Sequence, residues 1–129
     1  MKYYFQKILF NVSFDEAIEK VTEELKKEGF GILTEIDVQA TLKKKLDVDF
    51  RKYRILGACN PPFAYKALQA ELLIGTMLPC NVVVMEMDDG KVRVNAVDPK
   101  ASMMAVGNKD LNSVAIQIQQ KLKTVIDNL

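Results

Sequence analysis

The stretch LGACNPPFAYKALQAELLIGTMLPCN, residues 56–81, decides the fold, and it carries both cysteines and three of the four prolines. Upstream of it, Arg54, Leu56 and Ala58 alternate with Tyr53, Ile55, Gly57 and Cys59, the pattern of a strand with two distinct faces. Asn60 stands where a helix N-cap belongs. Pro61 follows at the first helical position, where its missing N–H is harmless and where it biases Asn60 toward extended backbone. Phe63, Ala64, Ala67, Leu68 and Glu71-Leu72 then recur at helical spacing, with Gly75 as the expected stop. Cys80-Asn81-Val82-Val83-Val84-Met85 reads as a returning strand. Strand, capped helix and strand place Cys59 at a strand end, beside a helix N-terminus.

A helix N-terminus stabilises an anion through its free N–H groups and its dipole, and the same field favours a thiolate. Against this stands the packing reading, in which Cys59 is a small buried apolar residue. The packing reading stands first, because the chain has no histidine to act as a base.

The strings GACNP (57–61), ALQAE (67–71), LPCNVVV (78–84) and VDP (97–99) resemble the DUF302 family, and the resemblance spans nearly the whole chain. The chain reads Leu72 where the family pattern carries proline after Glu71. The resemblance implies a fold similar to TATA-binding-protein-like domains and a homodimer. It implies no activity.

Length and composition set the outer bounds. A chain of 129 residues, 49% of them hydrophobic, makes a single domain over residues 1–129 with a substantial core. Eighteen basic against 17 acidic side chains leave a net charge of +1. That balance offers no long-range attraction to nucleic acid or to an anionic membrane. No apolar run approaches a membrane span. The N-terminus lacks an apolar signal core, so the chain reads as cytoplasmic, with its cysteines reduced.

Working outward, Tyr3 to Val12 reads as a strand and Ser13-Phe14-Asp15-Glu16 as a capping box. Phe14, Ala17, Ile18, Val21 and Leu25 form the apolar face of the helix that follows, closed by Gly29. Ile32 to Val38 alternates as a strand, and Gln39 to Leu46 forms a short helix whose Lys43-Lys44-Lys45 reads as solvated surface. Val82 to Met87 and Lys91 to Val97 flank an Asp88-Asp89-Gly90 hairpin. Val82-Val83-Val84 is apolar at every position, which predicts a central strand covered on both sides. Ala101 to Val106 is expected as a short strand or a mobile flap. Asn108 opens the last helix, striped by Leu111, Val114, Ala115, Ile118, Leu122, Val125 and Ile126. The expected fold is α+β, in the order β-α-β-(α)-β-α-β-β-α, with a mostly antiparallel sheet and the long helices on one face.

Four functional readings compete. In the first, Cys59, Asn60, Pro61, Cys80, Asn81 and Asp98 converge on a small-ligand pocket, with donors from the helix N-terminus and an acceptor from Asp98. Each of these residues also has a purely structural explanation as cap, turn or packing. The second is thiol redox chemistry between Cys59 and Cys80. The third is thiolate metal binding, which two cysteines without histidine do not complete within one chain. The fourth is a non-catalytic interaction module using the aromatic Tyr3, Tyr4 and Phe5. The residue set favours binding over catalysis, names no catalytic group and calls for no cofactor.

Overall fold

The structure is a computed structural model that describes residues 2–129. Five strands, β1 (Tyr4–Leu9), β2 (Gly31–Asp37), β3 (Tyr53–Cys59), β4 (Cys80–Glu86) and β5 (Val92–Val97), form one sheet in the order β1-β5-β4-β3-β2. Every neighbouring pair is antiparallel. Five α-helices accompany it: α1 (Phe14–Lys27), α2 (Val38–Leu46), α3 (Pro61–Ala70), α4 (Pro99–Met103) and α5 (Lys109–Asp127). The α+β class and the element order expected from the sequence are present, with α4 as an addition.

The core lies on one face of the sheet. Because side chains alternate along a strand, Leu56 and Ala58 of β3, Cys80, Val82 and Val84 of β4, and Val92, Val94 and Ala96 of β5 all point to the same side. Phe14, Ala17, Val21 and Leu25 of α1 and the Leu111–Ile126 stripe of α5 cover them in one cluster. Full burial of each large aliphatic chain contributes about 1.5–3 kcal/mol. Ser13 Oγ accepts from Glu16 N–H at 3.1 Å and opens α1 as the sequence predicts.

Three expectations are corrected. First, β4 is the middle strand, but Val83 is only half-buried, because the helices that bury the core, α1 and α5, lie on the opposite face with Val82 and Val84. That second face carries two rows across the strands, Ile36–Ile55–Val83–Asn95–Gln6 and Tyr53–Met85–Arg93–Ile8. Second, α3 stops at Ala70. Glu71 is extended, at φ −147° and ψ 101°, and Leu72–Met77 continues as 3-10 turns around the buried Ile74. Third, residues 101–106 are neither strand nor flap. Asp98 Oδ1 accepts from Lys100 N–H and caps α4, which buries Met103 in the core, and a 3-10 turn over Met104–Val106 leads to Gly107.

Candidate functional site

The CNP corner is built by a strand that runs straight into a helix. Asn60 occupies the N-cap position of α3 with extended backbone, and its carbonyl accepts from Ala64 N–H at 2.9 Å. Its side chain does not cap the helix. Asn60 Nδ2 instead donates to the Glu28 carbonyl at 3.0 Å, at the C-terminal end of α1. The expected donor cradle is also thin. Pro61 and Pro62 have no N–H, so Phe63 supplies the only free donor among the first three helical residues. The helix N-terminus therefore offers fewer donors than the small-ligand reading expects.

A different kind of site occupies this corner. Cys59, Asn60 and Cys80 line a cavity of about 300 Å³ between the ends of β3 and β4, helix α3 and Ile118 of α5. Its other walls include Phe30, Leu33, Ala64, Ala67 and Leu68. Asn60 is the one amide among the lining residues, and no charged side chain reaches it. The rest is apolar carbon and two thiols. Such a lining suits a small neutral molecule with one polar group.

Of the other residues expected here, Pro61 begins α3 but does not line the cavity. Asn81 follows Cys80 along β4, so its side chain emerges on the opposite face of the sheet, where it lines a second hollow. Asp98 is engaged elsewhere: besides capping α4, its two carboxylate oxygens accept from Gln119 Nε2 at 3.0 and 3.1 Å. Its backbone N–H donates to Tyr3 O at 2.7 Å. The six residues thus divide: Cys59, Asn60 and Cys80 share the cavity, Pro61 starts α3 outside it, Asn81 faces away, and Asp98 holds α4 to α5.

Sequence reasoning missed Leu33 and Ile118. Leu33 sits where the β2–β3 register shifts between Ile32 and Thr34. That irregularity turns its side chain to the cavity mouth, where it remains 68% exposed. Ile118 was legible as part of the core stripe of α5, but nothing in its spacing marks it as a wall of this cavity.

The two thiols differ in burial: Cys59 is half-buried and Cys80 is buried. Burial pushes the Cys80 thiol up from 9.0 to about 11, with the nearby Cys59 adding to the shift, so Cys80 is a neutral thiol at physiological pH. Cys80 lies opposite Ala58 in the ladder, one residue from Cys59, and both cysteines are free thiols. Among the described residues, no group of three or more potential metal ligands occurs, and no helix is long and apolar enough to cross a membrane.

None of the curated proteins matches this chain. A solved structure of an uncharacterized conserved protein DUF302 from Bacillus stearothermophilus is 30% identical, covers 98% of each chain and superposes with a TM-score of 0.90. The family model described as "Domain of unknown function DUF302" matches residues 6–129, from β1 to the end of α5. The chain belongs to the DUF302 family.

Proposed function

We propose that this domain binds a small, neutral, mainly apolar molecule in the cavity at the CNP corner, without catalysing a reaction. The observation that supports this reading is the composition of the cavity: about 300 Å³ of apolar wall holding one buried amide, Asn60, and no charge. The volume is at the lower end of ligand pockets, about 300–1,000 Å³. Asn60 is pre-oriented by its bond to Glu28, which lowers the cost of ordering a polar contact on binding.

Cyclohexanol, with an apolar ring and one hydroxyl, is a suitable probe. Amide NMR titration should give saturable shifts at Ala58, Ala67 and Ile118, and Ala64→Phe, which fills the cavity, should remove them. Shifts that grow linearly without saturation, or that survive Ala64→Phe, defeat the reading.

The second reading is association of two copies along β2. Leu33 and Ile36 are 68% and 48% exposed on this edge strand. An edge strand presents unpaired backbone groups, and apolar side chains on it invite pairing with another chain. The N-terminal aromatics expected as a partner surface are less available: Phe5 packs against the core and Tyr4 is half-buried, leaving Tyr3 exposed.

A further inference from the structure

The uncovered face of the sheet holds a second hollow, of about 390 Å³, over β1, β5 and β4. Its floor is Val83, Met85 and Val97, and Tyr3, Tyr4 and Tyr53 stand among its walls. Arg93 and Asn95 lie two residues apart on β5 and point into this face side by side. Arg51 pairs with Asp88, and Arg54 with Glu35 and Asp37. Arg93 has no ion pair among the described residues, and no Asp or Glu lines the hollow.

Two polar atoms there are buried and unsatisfied: Arg93 Nε and Asn95 Oδ1. Asn95 Nδ2 is already committed to Gln6 Oε1 at 3.0 Å, which fixes the amide with its oxygen free. A cationic donor without an acceptor, beside an acceptor without a donor, is costly to bury unless something completes both.

We propose that this hollow is a binding site for a small aromatic or aliphatic monocarboxylate that also carries one hydrogen-bond donor. The carboxylate accepts from Arg93, the donor group reaches Asn95 Oδ1, and the apolar body lies on Val83, Met85 and Val97 between the tyrosine rings. Two residues along a strand span about 7 Å, which sets the distance between the ligand's two polar ends. The site is separate from the CNP cavity, because β4 presents Cys80 to one face and Asn81 to the other.

Two probes sharing the 4-hydroxyphenyl group and a two-carbon side chain, one ending in a carboxylate and one in a neutral hydroxyl, test the proposal by isothermal titration of the full chain: 4-hydroxyphenylacetate and 2-(4-hydroxyphenyl)ethanol. The acid should bind saturably and at least tenfold more tightly than the alcohol, with an affinity that falls as salt is raised. Arg93→Met should abolish the preference for the acid. Ala64→Phe, which fills the other cavity, should leave it unchanged. Equal affinities for acid and alcohol, or no saturable binding of either, overturn the proposal from the wild-type protein alone, whether or not Arg93→Met folds. Absence of binding together with loss of self-association in Val83→Arg would show instead that this face seats a second copy.

Discussion

Asn60 Nδ2 donates to the backbone carbonyl of Glu28 at 3.0 Å, joining the end of α1 to the start of α3. Gly29, next in the chain, adopts φ +87°, and a Cβ placed on it would lie 3.1 Å from Asn60 Nδ2. The positive φ favours glycine here, and a Cβ would also crowd the Asn60 amide. The side chain that the sequence casts as a helix cap is thus a tie between two helices, and it also forms the polar point of the CNP cavity.

Removing that tie costs the Glu28 carbonyl its protein donor. Asn60→Ala should lower stability by about 0.5–1.5 kcal/mol, the net worth of a part-buried hydrogen bond. Gly29→Ala should also destabilise, but less in the Asn60→Ala background, because only the backbone strain then remains. Urea unfolding of the two single variants and the double variant measures the coupling. Strictly additive losses would show that the amide and the glycine do not interact.

Cys80 makes the stability of the fold sensitive to alkaline pH. Its thiol ionises at about 11 in the folded chain, against 9.0 for an ordinary thiol. Between those values the unfolded chain has released the proton and the folded chain retains it, so the unfolded state binds fewer protons and stability falls as pH rises. The contribution is fully present below about pH 9 and is lost as pH rises toward about 11. Lysines and tyrosines titrate in the same range, so the measurement is a comparison of urea unfolding at pH 8 and pH 10.5 for wild type and Cys80→Ala. Cys80→Ala should show the shallower decline. In native protein at pH 8, iodoacetamide should leave Cys80 unmodified; rapid labelling there would contradict both its burial and its raised pKa.

The fold was legible because local signals agree with tertiary ones. Ser13 before Phe14, the alternation of Tyr53 to Cys59 and the stripe on α5 each specify an element that the core then uses. The site was legible only in part. Proximity along the chain groups Cys80 with Asn81, yet adjacent strand residues face opposite sides, so one sequence motif serves two surfaces. The consecutive prolines Pro61 and Pro62 already remove two helix donors, a point readable from the sequence but obscured by the apparent cap at Asn60. Leu33 was unreadable because the irregularity of β2 interrupts an otherwise regular alternation. The uncovered face misled in the other direction. Val83 sits between two core valines and looks like a core residue, although its side chain stands opposite Asn95 and Ile55 on the face away from α1 and α5.

Homodimerisation is the remaining expectation with a direct test, and we propose β2, in place of the N-terminal aromatics, as its interface. β1 and β2 are the two sheet edges. β1 carries Lys7, whose Nζ reaches the Asp127 carbonyl at 3.3 Å, and a lysine on an edge discourages pairing. On β2, Gly31, Leu33, Thr34, Glu35 and Ile36 are all exposed. Two β2 strands meeting antiparallel about a two-fold axis would pair their open ladders and cover Ile36 on both copies. Sedimentation at micromolar concentration should give about twice the chain mass. Ile36→Lys should weaken association by at least tenfold, since it places two like charges near the axis, while the thermal unfolding of the dilute monomer should change little because Ile36 is already 48% exposed. A wild-type chain that sediments as a monomer over a hundredfold range of concentration would rule out the dimer. A dimer indifferent to Ile36→Lys would move the interface away from β2.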